Sequence, residues 1–239
     1  MKTTILTTLA SILLLTSCQK DYSAEYGLVQ NNSTVAGNTT TNATDNCKEC
    51  SYIPTCTGSV YNYKIQRGGL QTGNDGSASS YTLTYISDTT IGGKLYKKMK
   101  GDAQQISFVN CATGISTQLY VNPQSNTQIS VYKITQLKAN EPVGATWKDI
   151  NTLGNNLSEY SYYKIEAKGI TKTVFGKVYN DVIKVRLDVK SEVTGVVQEQ
   201  STYSEMYYAK GVGLIECIDY NFSDGSVLSN RVLASAIIP

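Results

Sequence analysis

Apolar and polar residues alternate with a period of two along most of this chain. Typical stretches lie at residues 60–66 (VYNYKIQ), 81–87 (YTLTYIS) and 179–190 (YNDVIKVRLDVK). Successive side chains of a strand point to opposite faces, so this alternation predicts half-buried β-strands. Turn signals rich in Gly, Asn and Asp separate the stretches, for example at residues 73–76 (GNDG) and 223–225 (SDG). Such short connections favour antiparallel pairing, because parallel strands need crossovers of about a dozen residues.

The alternating stretches predict an all-β fold of about ten strands with little helix. Residues 138–151 are the only candidate for a helical turn. A sheet of this size has to close or curl in order to protect its edges. We therefore expect an antiparallel β-barrel or a strongly curved β-sandwich.

The first 17 residues depart from the strand pattern. Met1 and Lys2 precede an apolar stretch at residues 5–15, which is typical of a signal peptide and too short to span a bilayer, since spanning takes about 20 residues. The following Leu15-Thr16-Ser17-Cys18 resembles the lipobox of bacterial lipoproteins. That resemblance implies removal of residues 1–17 and lipidation of Cys18. An ordinary signal peptide with an incidental cysteine is the alternative.

Residues 18–46 predict a flexible tether behind the lipidated cysteine. Asn, Thr, Ser and Ala dominate this segment, which has too few apolar residues to offset its ordering entropy. Two or three acyl chains hold a protein firmly on a membrane. Gln19 stands where lipoproteins retained in the inner membrane carry Asp, so the resemblance implies a lipid anchor in the outer membrane, on either its periplasmic or its surface face.

Residues 47–239 are long enough for a single antiparallel β domain with a real core. Three segments resemble recurring features of uncharacterised β-rich outer-membrane lipoproteins of Gram-negative bacteria. They are residues 47–59 (CKECSYIPTCTGS), 176–185 (GKVYNDVIKV) and 207–215 (YYAKGVGLI). The resemblance supports the fold class and implies no particular activity.

Five cysteines remain in this domain once Cys18 is set aside. Cys47, Cys50 and Cys56 form a C-x2-C-x5-C cluster. An exported chain meets an oxidising compartment, so these three and Cys111 are disulfide candidates, with Cys111 tying the cluster to the sheet. A second bridge would lie within the cluster or reach Cys217, and Cys217 is the candidate free thiol. The alternatives are a redox C-x-x-C motif, which should open a helix after a strand, and a thiolate zinc site.

Composition argues against most catalytic chemistry. The chain has no His, which excludes Ser-His-Asp sites and imidazole metal ligands, and its net charge of +2 offers no field for nucleic acid. Both S-x-x-K matches within the domain, at residues 130–133 and 161–164, lie in strand-like stretches where the two side chains point to opposite faces. We therefore expect no catalytic, cofactor-binding or metal-binding residues and no enzyme. A carboxylate pair for glycan hydrolysis would have to come from Glu159, Glu166, Asp181, Asp188, Glu192, Glu199 or Glu205.

Tyrosine is the one enrichment that suggests a binding role. The chain has 18 Tyr against three Phe and one Trp. Tyr160 and Tyr162 share a strand face, and together with Trp147 they are the candidate ligand-stacking aromatics, with core packing as the alternative. The sequence thus predicts an outer-membrane lipoprotein that binds a glycan or an envelope protein, or acts as a scaffold. The competing hypotheses are an open-barrel carrier of apolar or lipid molecules and a carboxylate-based glycan hydrolase.

Overall fold

A computed structural model describes residues 47, 49–67, 79–102, 105–125, 128–154, 157–193 and 195–239. The predicted signal peptide, the lipidation site Cys18 and the tether at residues 18–46 lie outside the described residues. No helix in the described ranges is long and apolar enough to cross a membrane.

The chain is all-β, as the alternation predicts. Its twelve strands are β1 (Val60–Arg67), β2 (Ser79–Ile91), β3 (Lys94–Lys100), β4 (Ile106–Ala112), β5 (Ile115–Ser125), β6 (Gln128–Lys138), β7 (Thr146–Gly154), β8 (Leu157–Val174), β9 (Lys177–Val193), β10 (Val196–Ala209), β11 (Gly213–Asn221) and β12 (Val227–Ile237). The helical turn expected at residues 138–151 is wrong, because residues 139–145 form a short connection and Thr146 already begins β7.

The strands form one antiparallel sheet in the order β6-β5-β4-β3-β2-β1-β12-β11-β10-β9-β8-β7. The first strand pairs with the last, from Val60 opposite Ile237 to Arg67 opposite Ser229. The two strands at the ends of this order, β6 and β7, come together through side chains, so the sheet is a nearly closed barrel. A barrel is thus the one of the two predicted architectures that the chain adopts.

Alternation along each strand separates the inside of the barrel from the outside. On β9, Ile183, Val185 and Leu187 are buried in one apolar cluster, while the intervening Lys184 and Arg186 lie on the other face and are half-buried. The inward apolar side chains belong to two clusters. One cluster includes residues of strands β6 to β11, and the other includes inward residues of β1 to β4 and β12.

Residues 49–59 close one end of the barrel, which we call the closed end. Disulfides join Cys47 to Cys56 and Cys50 to Cys111, so the structure pairs all four disulfide candidates. Tyr52 and Ile53 of this segment pack into the same cluster as the inward residues of β6 to β11. The opposite end, where β1 and β11 finish, is called the mouth.

Cys217 lies on β11 in the apolar interior, with no exposed surface. Among the described residues no cysteine is a free thiol. Cys217 is disulfide-bonded, so the prediction of a free thiol at this position is wrong.

The tip of the β8–β9 hairpin leaves the barrel wall and folds over its outer face. We call residues 168–182 the arm. Lys172 of the arm forms an ion pair with Glu216 of β11, with Nζ and Oε2 2.7 Å apart. The Lys64 ammonium of β1 lies 4.4 Å from the centre of the Phe175 ring. Contacts with strands this far along the sheet require the arm to cross β10, β11 and β12.

Candidate functional site

The half of the barrel interior nearest the mouth is polar, whereas the half nearest the closed end is apolar. We call the half nearest the mouth the polar half. Its polar residues occupy inward positions of the strands that approach the mouth. They are Ser107, Gln118, Asp149, Asn151, Ser161, Ser204, Asp219, Ser229 and Arg231. Polar side chains inside a barrel wall are costly to bury unless they are paired. Their hydrogen bonds therefore show how the site is built.

Arg231 of β12 supplies the positive charge of the polar half. Its Nη1 donates a hydrogen bond to the Tyr81 hydroxyl at 2.7 Å. Its guanidinium carbon lies 5.7 Å from the centre of the Tyr63 ring, and the Tyr63 and Tyr81 rings stack with centres 5.1 Å apart. Burial lowers the pKa of Arg231, but Tyr81, Tyr63 and Asp219 raise it more, so the pKa is raised and the group stays a cation.

Asp219 of β11 supplies a negative charge on the same wall. Its carboxylate accepts a hydrogen bond from the Ser204 hydroxyl and another from the Ser229 hydroxyl, each 2.6 Å long. The two serines flank Asp219 on the neighbouring strands β10 and β12. A carboxylate held from both sides cannot rotate freely, so it presents a fixed acceptor near the mouth.

A chain of amides lines the wall across the barrel from Arg231. Gln118 donates from Nε2 to the Ser107 hydroxyl at 2.9 Å and accepts a hydrogen bond from Gln136 at its Oε1. The Ser116 hydroxyl donates to Gln136 Oε1 at 3.1 Å. Because each member holds the next, these side chains have defined orientations. This chain starts at Ser107 and runs toward the closed end, because Ser116 lies opposite Cys111, the disulfide partner of Cys50.

The gap between β6 and β7, which we call the seam, is closed by side chains. No backbone ladder joins these two strands in the ranges that the structure describes. Asp149 accepts from the Thr135 backbone N–H at 2.5 Å and from the Thr135 hydroxyl at 3.0 Å. Asn151 accepts from the Lys133 N–H at 3.2 Å, and Trp147 Nε1 donates to the Thr135 carbonyl at 2.8 Å. Side chains of β7 thus replace the backbone groups of a neighbouring strand.

The interior tyrosines stay neutral over the physiological range. Burial raises the pKa of Tyr63 and of Tyr163 well above the usual value. Burial also raises the pKa of Tyr208. Neutral phenols both donate and accept hydrogen bonds, and their rings add apolar faces. The interior can therefore meet hydroxyl groups and apolar edges of one ligand together.

The structure separates the three predicted ligand-stacking aromatics. Trp147 lies inside the barrel, is only 8% exposed and stacks on Tyr163 with ring centres 5.2 Å apart. Tyr160 and Tyr162 lie together on the outer face, with ring centres 6.4 Å apart. The Tyr160 hydroxyl donates to Glu192 at 2.5 Å, which raises the pKa of that tyrosine. The three residues therefore do not form one site.

A row of side chains on the outer face continues from Tyr162 across the sheet. Tyr162 lies opposite Asp188, Asp188 opposite Tyr203, and Tyr203 opposite Tyr220. The Tyr203 ring is stacked on Tyr220 at 5.0 Å and has Arg186 at 3.9 Å from its centre. Tyr220 and Arg186 therefore already cover faces of the Tyr203 ring on which a sugar would have to stack. This row is thus better suited to stabilising the wall than to stacking a ligand.

The carboxylates weighed for hydrolysis are spread over several places. Glu159 is on the inward face of β8, in register with Asn151, whereas Glu166 and Glu205 flank Lys184 on the outer face at 2.9 and 2.6 Å. Burial raises the pKa of Glu205, but hydrogen bonds from Lys184 and Tyr207 outweigh it, so the pKa is lowered. An acid catalyst needs a raised pKa. Glu205 is therefore unsuited to that role.

Arg231 and Asp219 are the residues that reasoning from the sequence missed. A signal was present, because alternation places Asp219 on the same face as Cys217 and Arg231 on the same face as Leu233. Both neighbours are buried in the structure. A charged residue at an inward position of a strand marks a candidate site.

No protein-family model matches this chain, and no curated protein matches it either. Two solved structures share its fold. One is a proposed exported protein with a YmcC-like fold from Bacteroides fragilis NCTC 9343, with 10% identity over 79% of this chain and 100% of that chain and a TM-score of 0.50. The other is a proposed lipoprotein from Parabacteroides distasonis ATCC 8503, with 12% identity, 79% and 99% coverage and a TM-score of 0.50. At these identities the likeness shows the fold alone.

Proposed function

We propose that this protein is a lipid-anchored lipoprotein of the outer membrane whose barrel binds a small polar ligand rich in hydroxyl groups, such as a sugar. The observation that carries the ligand class is the group formed by Arg231, Tyr81 and Asp219 inside the mouth half of the barrel. The lipobox at Cys18 supports the anchor. The descriptions of the two fold neighbours, one as exported and one as a lipoprotein, agree with it.

Hydroxyl-rich ligands suit this set of groups because a hydroxyl both donates and accepts. A guanidinium only donates, a carboxylate only accepts, and a phenol does both. Arg231, Asp219 and Tyr81 are half-buried and lie close together inside the barrel. An eight-stranded barrel is about filled by its own side chains, whereas wider barrels enclose space for a ligand. By this comparison, a barrel of twelve strands can enclose more space than one of eight.

An apolar cargo fits the interior less well. The inward apolar residues pack against one another and against Tyr52 and Ile53 at the closed end. The half that faces the mouth carries a cation, carboxylates and amides, which would lose hydration without compensation against a lipid chain. The geometry therefore favours a polar ligand over a lipid.

Calorimetric titration of the full-length lipidated protein in detergent with a panel of monosaccharides and disaccharides tests the proposal. Tyr81→Phe removes the hydroxyl that holds Arg231, and Arg231→Gln removes the charge. We expect each to weaken binding about tenfold, which corresponds to about 1.4 kcal/mol. Tyr162→Ala on the outer face is the control and should leave affinity unchanged. Loss of binding in the control alone would move the site to the outer face, and no sugar binding by the parent protein would refute the ligand class.

A further inference from the structure

We infer that the seam between β6 and β7 is a gate that opens from the mouth and admits ligand to the polar half of the interior. The ligand part of this inference rests on the proposed function. The gate itself rests on the contacts of the seam alone.

The seam is the weakest joint of the described barrel. The neighbouring strands β8 and β9 are paired by a register that runs from Leu157 opposite Val193 to Val174 opposite Lys177. At the seam, by contrast, the described side chains of β7 include three that make four hydrogen bonds to β6. Regions held by few interactions open at the lowest free energy, without unfolding the rest of the domain.

The end of the seam nearest the closed end of the barrel is pinned. Residues 139–145, which connect β6 to β7, are tied to their neighbours on both sides. Ala139 N–H donates to the Gly114 carbonyl at 2.8 Å, and Gly144 N–H donates to the Ile165 carbonyl at 2.8 Å. Lys168 Nζ donates to the Ala139 carbonyl at 2.7 Å. The connection therefore acts as the hinge, and separation has to begin at the mouth.

The contacts that hold the seam weaken toward the mouth. Trp147, nearest the hinge, is buried and stacked on Tyr163. Asp149 comes next and makes two hydrogen bonds to Thr135. Asn151, the nearest of the three to the mouth, accepts a single hydrogen bond from β6 within the described ranges, from the Lys133 N–H at 3.2 Å. The seam should therefore open at Asn151 first and at Trp147 last.

Asn151 also carries an unpaired donor in the closed state. Its side-chain amide nitrogen is buried without a hydrogen-bond partner among the described residues, and the residue is only 6% exposed. A buried donor without a partner has lost its hydration and gained nothing in return. Opening returns this amide to water or offers it to a ligand, so closure is least favourable at the mouth.

The opened seam would lead directly to the proposed site. Asn151 lies opposite Glu159 and Asp149 opposite Ser161 on β8, and all four residues face inward. Separation of β6 from β7 widens the interior at this level. A ligand could then enter beside polar groups and reach Arg231 on β12 and Asp219 on β11.

Trp147 is the only tryptophan of the chain, so its fluorescence reports on the seam without any label. Asp149→Ala removes two of the hydrogen bonds, and Ile150→Ala, which alters the exposed residue beside it on the same strand, is the matched control. We expect Asp149→Ala to raise acrylamide quenching of Trp147 and to speed exchange of the Thr135 and Lys133 amides at least about tenfold, with the Val185 amide of β9 unchanged. Ile150→Ala should change neither the quenching of Trp147 nor the exchange of the Thr135 and Lys133 amides.

Two results would overturn the gate. One is parent protein whose Lys133 and Thr135 amides exchange as slowly as the Val185 amide. The other is an Asp149→Ala variant in which all three amides accelerate equally, since that outcome means global destabilisation. These measurements need no ligand, so a failure of the sugar proposal leaves them intact. If a sugar binds, its association rate should rise in Asp149→Ala, and an unchanged rate would show that entry does not use the seam.

Discussion

The ion pair between the arm and the barrel offers a quantitative test of how the outer face is held together. The Lys172 and Glu216 side chains are 26% and 9% exposed, and their Nζ and Oε2 atoms are 2.7 Å apart. Asn230 donates to the other oxygen of Glu216 at 3.1 Å, and the Lys172 ammonium lies 4.0 Å from the centre of the Tyr207 ring. Replacement of Lys172 by Met keeps the length of the side chain and strands the Glu216 carboxylate under the arm.

The expected loss follows from the asymmetry of the pair. Removing one partner of a fully buried ion pair costs about 3 to 5 kcal/mol. Lys172 is partly exposed and water can replace part of its charge, so we expect Lys172→Met to lower the free energy of unfolding by about 2 to 3 kcal/mol. Glu216→Leu should cost about 1 kcal/mol, because the Lys172 ammonium can turn toward solvent.

A double-mutant cycle in urea, followed by Trp147 fluorescence, measures the coupling. The variant with both Lys172→Met and Glu216→Leu should be more stable than Lys172→Met alone, because no buried charge is left without a partner. Equal m-values across the four proteins would show that they unfold between comparable states. The reasoning fails if the two losses simply add, or if Lys172→Met alone costs less than about 0.5 kcal/mol.

Three further predictions concern other parts of the chain. Replacement of Cys50 and Cys111 by Ala opens a loop with a sequence separation of 61 and should cost about 4 kcal/mol in urea unfolding; an unchanged midpoint would contradict this. Burial raises the pKa of Tyr61 to about 12, so the unfolded chain releases this proton before the folded one does, and stability should fall as pH rises from about 10 toward 12. Tyr61→Phe should flatten that fall, and equal slopes would count against it. Cys18→Ser should abolish lipid attachment and release the protein from membranes on fractionation, whereas firm attachment of a processed form would refute the anchor.

Much of the fold was accessible from local pattern. Alternation along a strand is a property of the backbone itself, since each residue turns the next side chain to the opposite face. It correctly placed Tyr160 and Tyr162 together, and it correctly assigned an all-β chain. The oxidising compartment implied by the signal region correctly predicted disulfides among the four cysteines that the structure pairs.

The candidate site was less accessible, because it depends on pairings between distant strands. Alternation alone does not say which face of β8 turns inward, so Trp147 could be grouped with Tyr160 although the wall lies between them. Arg231 meets Tyr81 across 150 positions of sequence. This contact forms because β1 pairs with β12, which carries Arg231, on one side and with β2, which carries Tyr81, on the other.

By itself, the sequence determined the local features: the strands, their two-faced pattern, the candidate disulfides and the resemblance to a lipoprotein signal. Tertiary structure decided that twelve strands close into a barrel, that the arm crosses β10 to β12, and that Asp149 and Asn151 cap the edge of β6. The physical reason is one of range. Side-chain direction is set within a few residues, whereas closure depends on the summed twist and register of the whole sheet.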